Sequence, residues 1–238
     1  GRRARIHYAM KANSSLALLQ WFAQAGCGFD IVSGGELARV LAAGGDPAWV
    51  IFSGVGKTRS EMRQALKAGI GCFNVESLAE LEVLNEVALE MGLRAPISIR
   101  VNPNVDAQTH PYISTGLKDN KFGVAHEATL RAYQRAAELP GLRVVGIDCH
   151  IGSQITAVEP YLNAMDRMLD LVEAVERAGI ELTHLDFGGG LALITRANGH
   201  PKPMPCGGSC CNDWMRVVDR KSTRLNSSHT DISRMPSS

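Results

Sequence analysis

Short apolar strands alternate with amphipathic helices along most of this chain, with no hairpin signal between them. That rhythm leaves few folds open. Strands are expected at Ile6–Met10, Phe29–Val32, Val50–Phe52, Cys72–Val75, Ile97–Val101, Val144–Cys149 and His184–Phe187, most of them apolar or β-branched throughout, as strands buried on both faces should be. Helical patterns fill the intervals at Ser15–Ala25, Gly35–Ala43, Ser60–Ala68, Leu78–Met91, Glu127–Glu138 and Pro160–Ala178. Ser60 and Ser77 are expected N-caps, and Gly26, Gly44, Gly69, Gly92 and Gly179 fall where helices should stop. Strand followed by helix, repeated, implies a parallel sheet with right-handed crossovers. The regular spacing favours a closed (β/α)8 TIM-type barrel over an open doubly wound sheet. With seven strands in place of eight, the expected α/β fold is an incomplete barrel with two unpaired strand edges.

At 238 residues and 45% hydrophobic, the chain can bury the core of one large α/β domain. A formal net charge of +1 gives no long-range field for nucleic acid or an anionic membrane, and no apolar run approaches the about eighteen residues of a membrane span. Neither is an expected partner. Cys27, Cys72 and Cys149 stand singly in or beside strands, as small buried hydrophobes do, and a reducing cytoplasm is the expected compartment. The chain opens on Gly1, almost directly into a strand, so an N-terminal piece is expected to precede it. After Gly190 the pattern changes. Pro201, Pro203 and Pro205 alternate with polar residues, Cys206, Cys210 and Cys211 match no zinc spacing, and the last residues are Ser/Arg/Asn-rich. Residues 191–238 are expected to be an irregular or disordered tail, frame-shifted or foreign to the natural sequence, after a barrel domain over 1–190. No metal site is expected.

In a parallel barrel the working residues sit at the C-terminal ends of the strands. Reading those ends in order gives Lys11, then Asp30 with Ser33-Gly34-Gly35-Glu36, Arg100, His150-Ile151-Gly152-Ser153-Gln154, and Gly188-Gly189-Gly190. Singly, Lys11 could close a strand at the surface, Arg100 could be an ion-pair donor, His150 a core imidazole and the glycines a flexible turn. Together they suit one ligand. Glycine amides can close round a phosphate, an imidazole can lie flat on an aromatic ring, and an amine with its pKa lowered by desolvation can attack an aldehyde. Phosphate, ring and aldehyde describe pyridoxal 5′-phosphate (PLP).

Tyr8-Ala9-Met10-Lys11-Ala12-Asn13 resembles the cofactor-lysine motif of the alanine-racemase-type barrel shared by PLP-dependent amino-acid decarboxylases. Cys149-His150-Ile151-Gly152-Ser153-Gln154 and Asp186-Phe187-Gly188-Gly189-Gly190 resemble later motifs of the same family, in the same order. Asp30-Ile31-Val32-Ser33-Gly34-Gly35-Glu36, Arg100-Val101-Asn102-Pro103-Asn104-Val105-Asp106, and the loop stretches Thr109-His110, Ile113-Ser114-Thr115-Gly116 and Lys121-Phe122-Gly123 narrow the resemblance to the diaminopimelate decarboxylase family. It extends to about Leu191. The resemblance implies that Lys11 binds PLP covalently, that His150 stacks on its ring, and that Ser153 and the amides of Gly188, Gly189 and Gly190 hold its phosphate. Asp30 and Arg100 would line the pocket near Lys11 and the phenolic oxygen. It further implies decarboxylation of meso-2,6-diaminopimelate to L-lysine, a small amino-acid substrate and a homodimer. Ornithine, arginine or a carboxylated polyamine is the alternative substrate, and a non-catalytic PLP carrier is the alternative of another class. The family's eighth-strand acidic residue, its Gly-Arg pair and its C-terminal β domain are not found after Gly190, so this chain is expected to be inactive alone.

Overall fold

The computed structural model describes residues 4–105, 122–190, 194–195, 201–202 and 214–219. Its elements in chain order are β1 (Ala4–Ala9), α1 (Leu16–Gln24), β2 (Gly28–Ile31), α2 (Gly34–Ala42), β3 (Val50–Phe52), α3 (Arg59–Ala68), β4 (Cys72–Val75), α4 (Leu78–Glu90), β5 (Ala95–Asn102), β6 (Val124–Ala125), α5 (Thr129–Glu138), β7 (Leu142–Cys149), α6 (Glu159–Arg177), β8 (His184–Asp186), the short pair β9 (Ile194–Thr195) and β10 (Pro201–Lys202), and β11 (Trp214–Asp219). All seven expected strands and all six expected helices are present. The helices stop as expected, at glycines such as Gly69, whose φ of 73° lets its N–H reach back to the last turn of α3. Ser77 caps α4 by accepting from the Glu80 amide. Ser60 does not cap α3. Thr58 does, in a reciprocal box with Glu61 that begins the helix two residues earlier.

The seven parallel strands β1, β2, β3, β4, β5, β7 and β8 are neighbours in chain order, and β6 pairs only with the end of β5. As expected, seven strands make up the parallel sheet, and β1 and β8 are its outer members. β11 lies between them, antiparallel to both, with Ile6 opposite Arg216 and Leu185 opposite Val218. Since β4 also pairs with β5, the eight strands form a continuous ring. Within the 191–238 stretch, Trp214–Asp219 is therefore strand. The physical reason is that two open edges present unpaired N–H and C=O groups, and a segment containing Val217-Val218 has the backbone preference to take them.

The main apolar core lies between the ring and its helices, where Phe29, Ile31, Phe52, Phe73, Ile97, Ile99 and Ile147 are fully buried. The other face of each strand has a different character. Asp30, Asn74, Ser98, Arg100, Asp148, His184 and Asp186 alternate with those apolar residues and face the lumen. The strands are thus buried on both faces, with the second face mixed: besides these polar groups it carries a small apolar cluster of Ile51, Cys72 and Val145. Gly28 and Gly146 leave room for the rings of His7 and His184 at the N-terminal end of the lumen.

Candidate active site

At the C-terminal end of the lumen, pairing brings β1 and β2 into register with Ala9 opposite Asp30, and the Met10 amide donates to the Asp30 carbonyl at 3.0 Å. Lys11 follows in a tight turn and is exposed, so the desolvation expected from sequence is not supplied by the protein's own groups. Its charge is nonetheless felt at both Asp30 and His150, and so is that of Arg100. Lys11, Asp30, Arg100 and His150 therefore converge on one region. Burial pushes Asp30 up to about 6, against the opposing pull of the Ser53 hydroxyl, Lys11 and Arg100. Ser53 donates to Asp30 Oδ1 at 2.6 Å and accepts from Asn74 Nδ2 at 3.3 Å, which fixes the carboxylate. Burial, with Arg100 and Lys11 adding to it, holds His150 down at about 3. Its imidazole is neutral at physiological pH, a flat ring within the field of two cations that can stack on an aromatic ligand without adding charge.

The segments after β7 and β8 interlock. The Ile155 amide donates to the Gly190 carbonyl at 2.9 Å, and a Cβ on Gly190 would overlap the Gly152 carbonyl oxygen and lie 3.2 Å from Ser153 Cα. A Cβ on Gly188 would sit 2.8 Å from His150 Nδ1. Tyr161 on α6 donates to the Gly189 carbonyl at 2.7 Å and pins the run from behind. Ser153 and the glycines are thus brought together beside His150. The Gly188 amide, however, donates to Asp186 Oδ1 at 2.9 Å, so it is not available to an anion as expected. The amides of Gly189 and Gly190 have no such partner among the described residues. Gln154 takes a left-handed φ of 58°, a conformation common where backbone amides form an anion-binding hollow.

Sequence reasoning missed the buried acids behind these groups. Arg100, Asp148 and Asp186 stand in register across β5, β7 and β8. Burial raises Asp148 to about 7 against the pull of Arg100, with the charges of Glu76 and Asp30 adding to it, and burial together with the charge of Asp148 raises Asp186 well above the ordinary carboxylate range. The signal was present as strict polar–apolar alternation in Ile97-Ser98-Ile99-Arg100 and Gly146-Ile147-Asp148-Cys149. With Asp148 raised from 3.8 to about 7, the folded chain holds more protons than the unfolded chain between about pH 4 and pH 7, so stability falls as pH rises through that window. Asp148→Asn, which cannot ionise, is expected to raise stability at pH 8 by about 2 kcal/mol and to change it little at pH 4. Urea midpoints at the two pH values check this, and equal effects at both would reject it.

Lys57 is the other lysine near this rim among the described residues. Its ammonium donates to the Gly54 and Asn74 carbonyls and to Glu80 Oε1 at 2.6, 2.7 and 2.7 Å, so all three hydrogens are engaged. Thr109-His110, Ile113–Gly116 and Lys121 of the long loop, and Cys206, Cys210 and Cys211, lie outside the described residues. Among the described residues no cluster suits a metal ion, and no helix is long and apolar enough to cross a membrane.

The family profile "Pyridoxal-dependent decarboxylase, pyridoxal binding domain" matches residues 2–228. The diaminopimelate decarboxylase of Pseudomonas aeruginosa is 61% identical over 191 residues, which cover 80% of this chain and 46% of that protein. The diaminopimelate decarboxylase of Vibrio cholerae is 58% identical over 198 residues, 83% of this chain and 48% of the relative. Among solved structures, the diaminopimelate decarboxylase of Helicobacter pylori complexed with L-lysine superposes with a TM-score of 0.81 at 43% identity, covering 85% of this chain and 51% of that one. The chain spans about half the length of the curated relatives it matches.

Proposed function

The chain belongs to the pyridoxal-dependent decarboxylases, through their pyridoxal-binding domain, and on that premise we propose that the protein decarboxylates meso-2,6-diaminopimelate to L-lysine. The cofactor is PLP. The residues fit it: an amine, a neutral imidazole and a hollow of glycine backbone converge where a ring, an aldehyde and a phosphate must lie. When bound, PLP supplies an electron sink for the pair left as the carboxylate departs.

In this reading Lys11 offers its amine from the exposed turn after β1. Asp30, fixed by Ser53, feels the charge of that amine and supplies a carboxyl group to the same pocket. Arg100 keeps a positive charge at the pocket wall, and His150 covers the ring face while remaining uncharged. Ser153 and the amides of Gly189 and Gly190, unpartnered among the described residues, bind the phosphate, while Gly188 keeps the run in place through Asp186. The cofactor-binding unit is the seven-strand parallel part of the barrel, over residues 1–190. Cytoplasmic location and a homodimer belong to the same proposal. Free thiols at Cys27, Cys72 and Cys149 suit a reducing compartment. Val32, Val55 and Leu78, exposed around the rim that bears the site, suit a surface covered by further protein.

The observation that carries the substrate is the 61% identity to the Pseudomonas aeruginosa enzyme. A chimera joining residues 1–190 to the remaining half of that relative is expected to release carbon dioxide from meso-diaminopimelate with lysine as the product. Release from ornithine or arginine instead would reassign the substrate, and PLP binding without release from any amino acid would favour a carrier.

A further inference from the structure

We propose that Glu76, one residue beyond β4, is a positioning residue that aims Arg100 into the cofactor pocket and ties it to the corner where the chain re-enters the barrel at β6. This rests on the reading of Arg100 as a pocket residue. Glu76 is 6% exposed, and its two carboxylate oxygens are divided between two partners. Oε1 accepts from Arg100 Nη1 at 2.8 Å, and Oε2 accepts from the Gly123 amide at 3.2 Å. The guanidinium carbon of Arg100 lies 5.3 Å from the centroid of the Phe122 ring, so the residue before Gly123 backs the same side chain. Gly123 itself is tight against Arg100: a Cβ there would lie 2.9 Å from the Arg100 carbonyl oxygen.

Glu76 is in turn held from behind. Glu80 Oε2 accepts its backbone amide at 3.0 Å, while Glu80 Oε1 takes the fully engaged ammonium of Lys57 at 2.7 Å. A buried lysine therefore orients a glutamate that orients the next glutamate's backbone. The arrangement matters because Arg100 has a choice of carboxylates. Asp148 and Asp30 also attract it from the lumen. Without the Glu76 charge the guanidinium is drawn inward toward Asp148, its register neighbour on β7, and away from the pocket.

The experiment uses the full chain in a double-mutant cycle of Glu76→Gln and Arg100→Met, read by PLP titration and by hydrogen exchange of the peptide over 122–125 without PLP. Glu76→Gln is expected to weaken PLP about tenfold, or ~1.4 kcal/mol, to leave Tm without PLP nearly unchanged, and to speed exchange at Gly123. In the Arg100→Met background the same substitution is expected to cost no further affinity, and Glu76→Asp is expected to restore part of it. Additive losses, or unchanged exchange at Gly123, would overturn the positioning role. Failure of the unsubstituted chain to bind PLP would instead overturn the cofactor reading and this inference with it.

Discussion

Lys11→Ala is expected to abolish the absorbance band that PLP gives near the visible edge when mixed with this chain, and with it any covalent retention of the cofactor after gel filtration. The effect should be large, because among the described residues no second amine at this rim is free to take over. Lys57 is the alternative among the described residues of this rim, but its ammonium already donates to two carbonyls and Glu80, and its side chain is 1% exposed. Freeing it would strand three buried acceptors, at about 1–3 kcal/mol each. Lys11 pays no such penalty: it is exposed in a turn, and among the described residues it has no ion pair to break. The phosphate and ring contacts do not depend on it, so Lys11→Ala should still bind PLP reversibly, more weakly and without the band. A band that survives in Lys11→Ala, or a borohydride-fixed label on a peptide lacking residue 11, would reject the assignment.

What the sequence made legible was the part of the fold governed by local periodicity. Strand, helix and glycine stop recur at intervals short enough for each element to be identified from its own residues, and Gly69, Gly92 and Gly179 stop helices where expected. The order of site residues around the rim follows from the same regularity, since each strand delivers its last residue to one end of the ring. What stayed hidden depended on contacts across the ring. Asp148 lies two residues before His150 in an apolar setting, and nothing local says that Asp186 stands beside it. Glu76 looks like a helix-start acid until Arg100 and Gly123 arrive from 24 and 47 residues away. Nothing in the sequence marks the Gly188 amide as engaged, because its acceptor is the side chain of Asp186, the last residue of β8. Trp214–Asp219 looked like tail because its pairing partners, β1 and β8, lie at the two ends of the sequence pattern.

Gly190→Ala is expected to destabilise the chain by about 3 kcal/mol or more and to weaken PLP binding at least tenfold, roughly 1.4 kcal/mol. Two independent effects act at this residue. Its φ of 101° is a region that L side chains rarely adopt, and a Cβ would be driven into the Gly152 carbonyl oxygen, which is backbone and cannot rotate away. Relief would require the segments after β7 and β8 to separate, breaking the Ile155-to-Gly190 hydrogen bond and moving Ser153 from the glycine hollow. Stability and phosphate binding should therefore fall together, because one backbone contact supports both. Gly189 separates the conformational demand from simple loss of glycine. It has no left-handed φ, and its carbonyl still accepts from Tyr161 when a methyl is added, so Gly189→Ala should cost within about 1 kcal/mol. Urea midpoints and PLP titration of the two variants decide the matter. If Gly190→Ala matched Gly189→Ala in both measurements, the interlock between the two loop segments would not be what shapes the anion site.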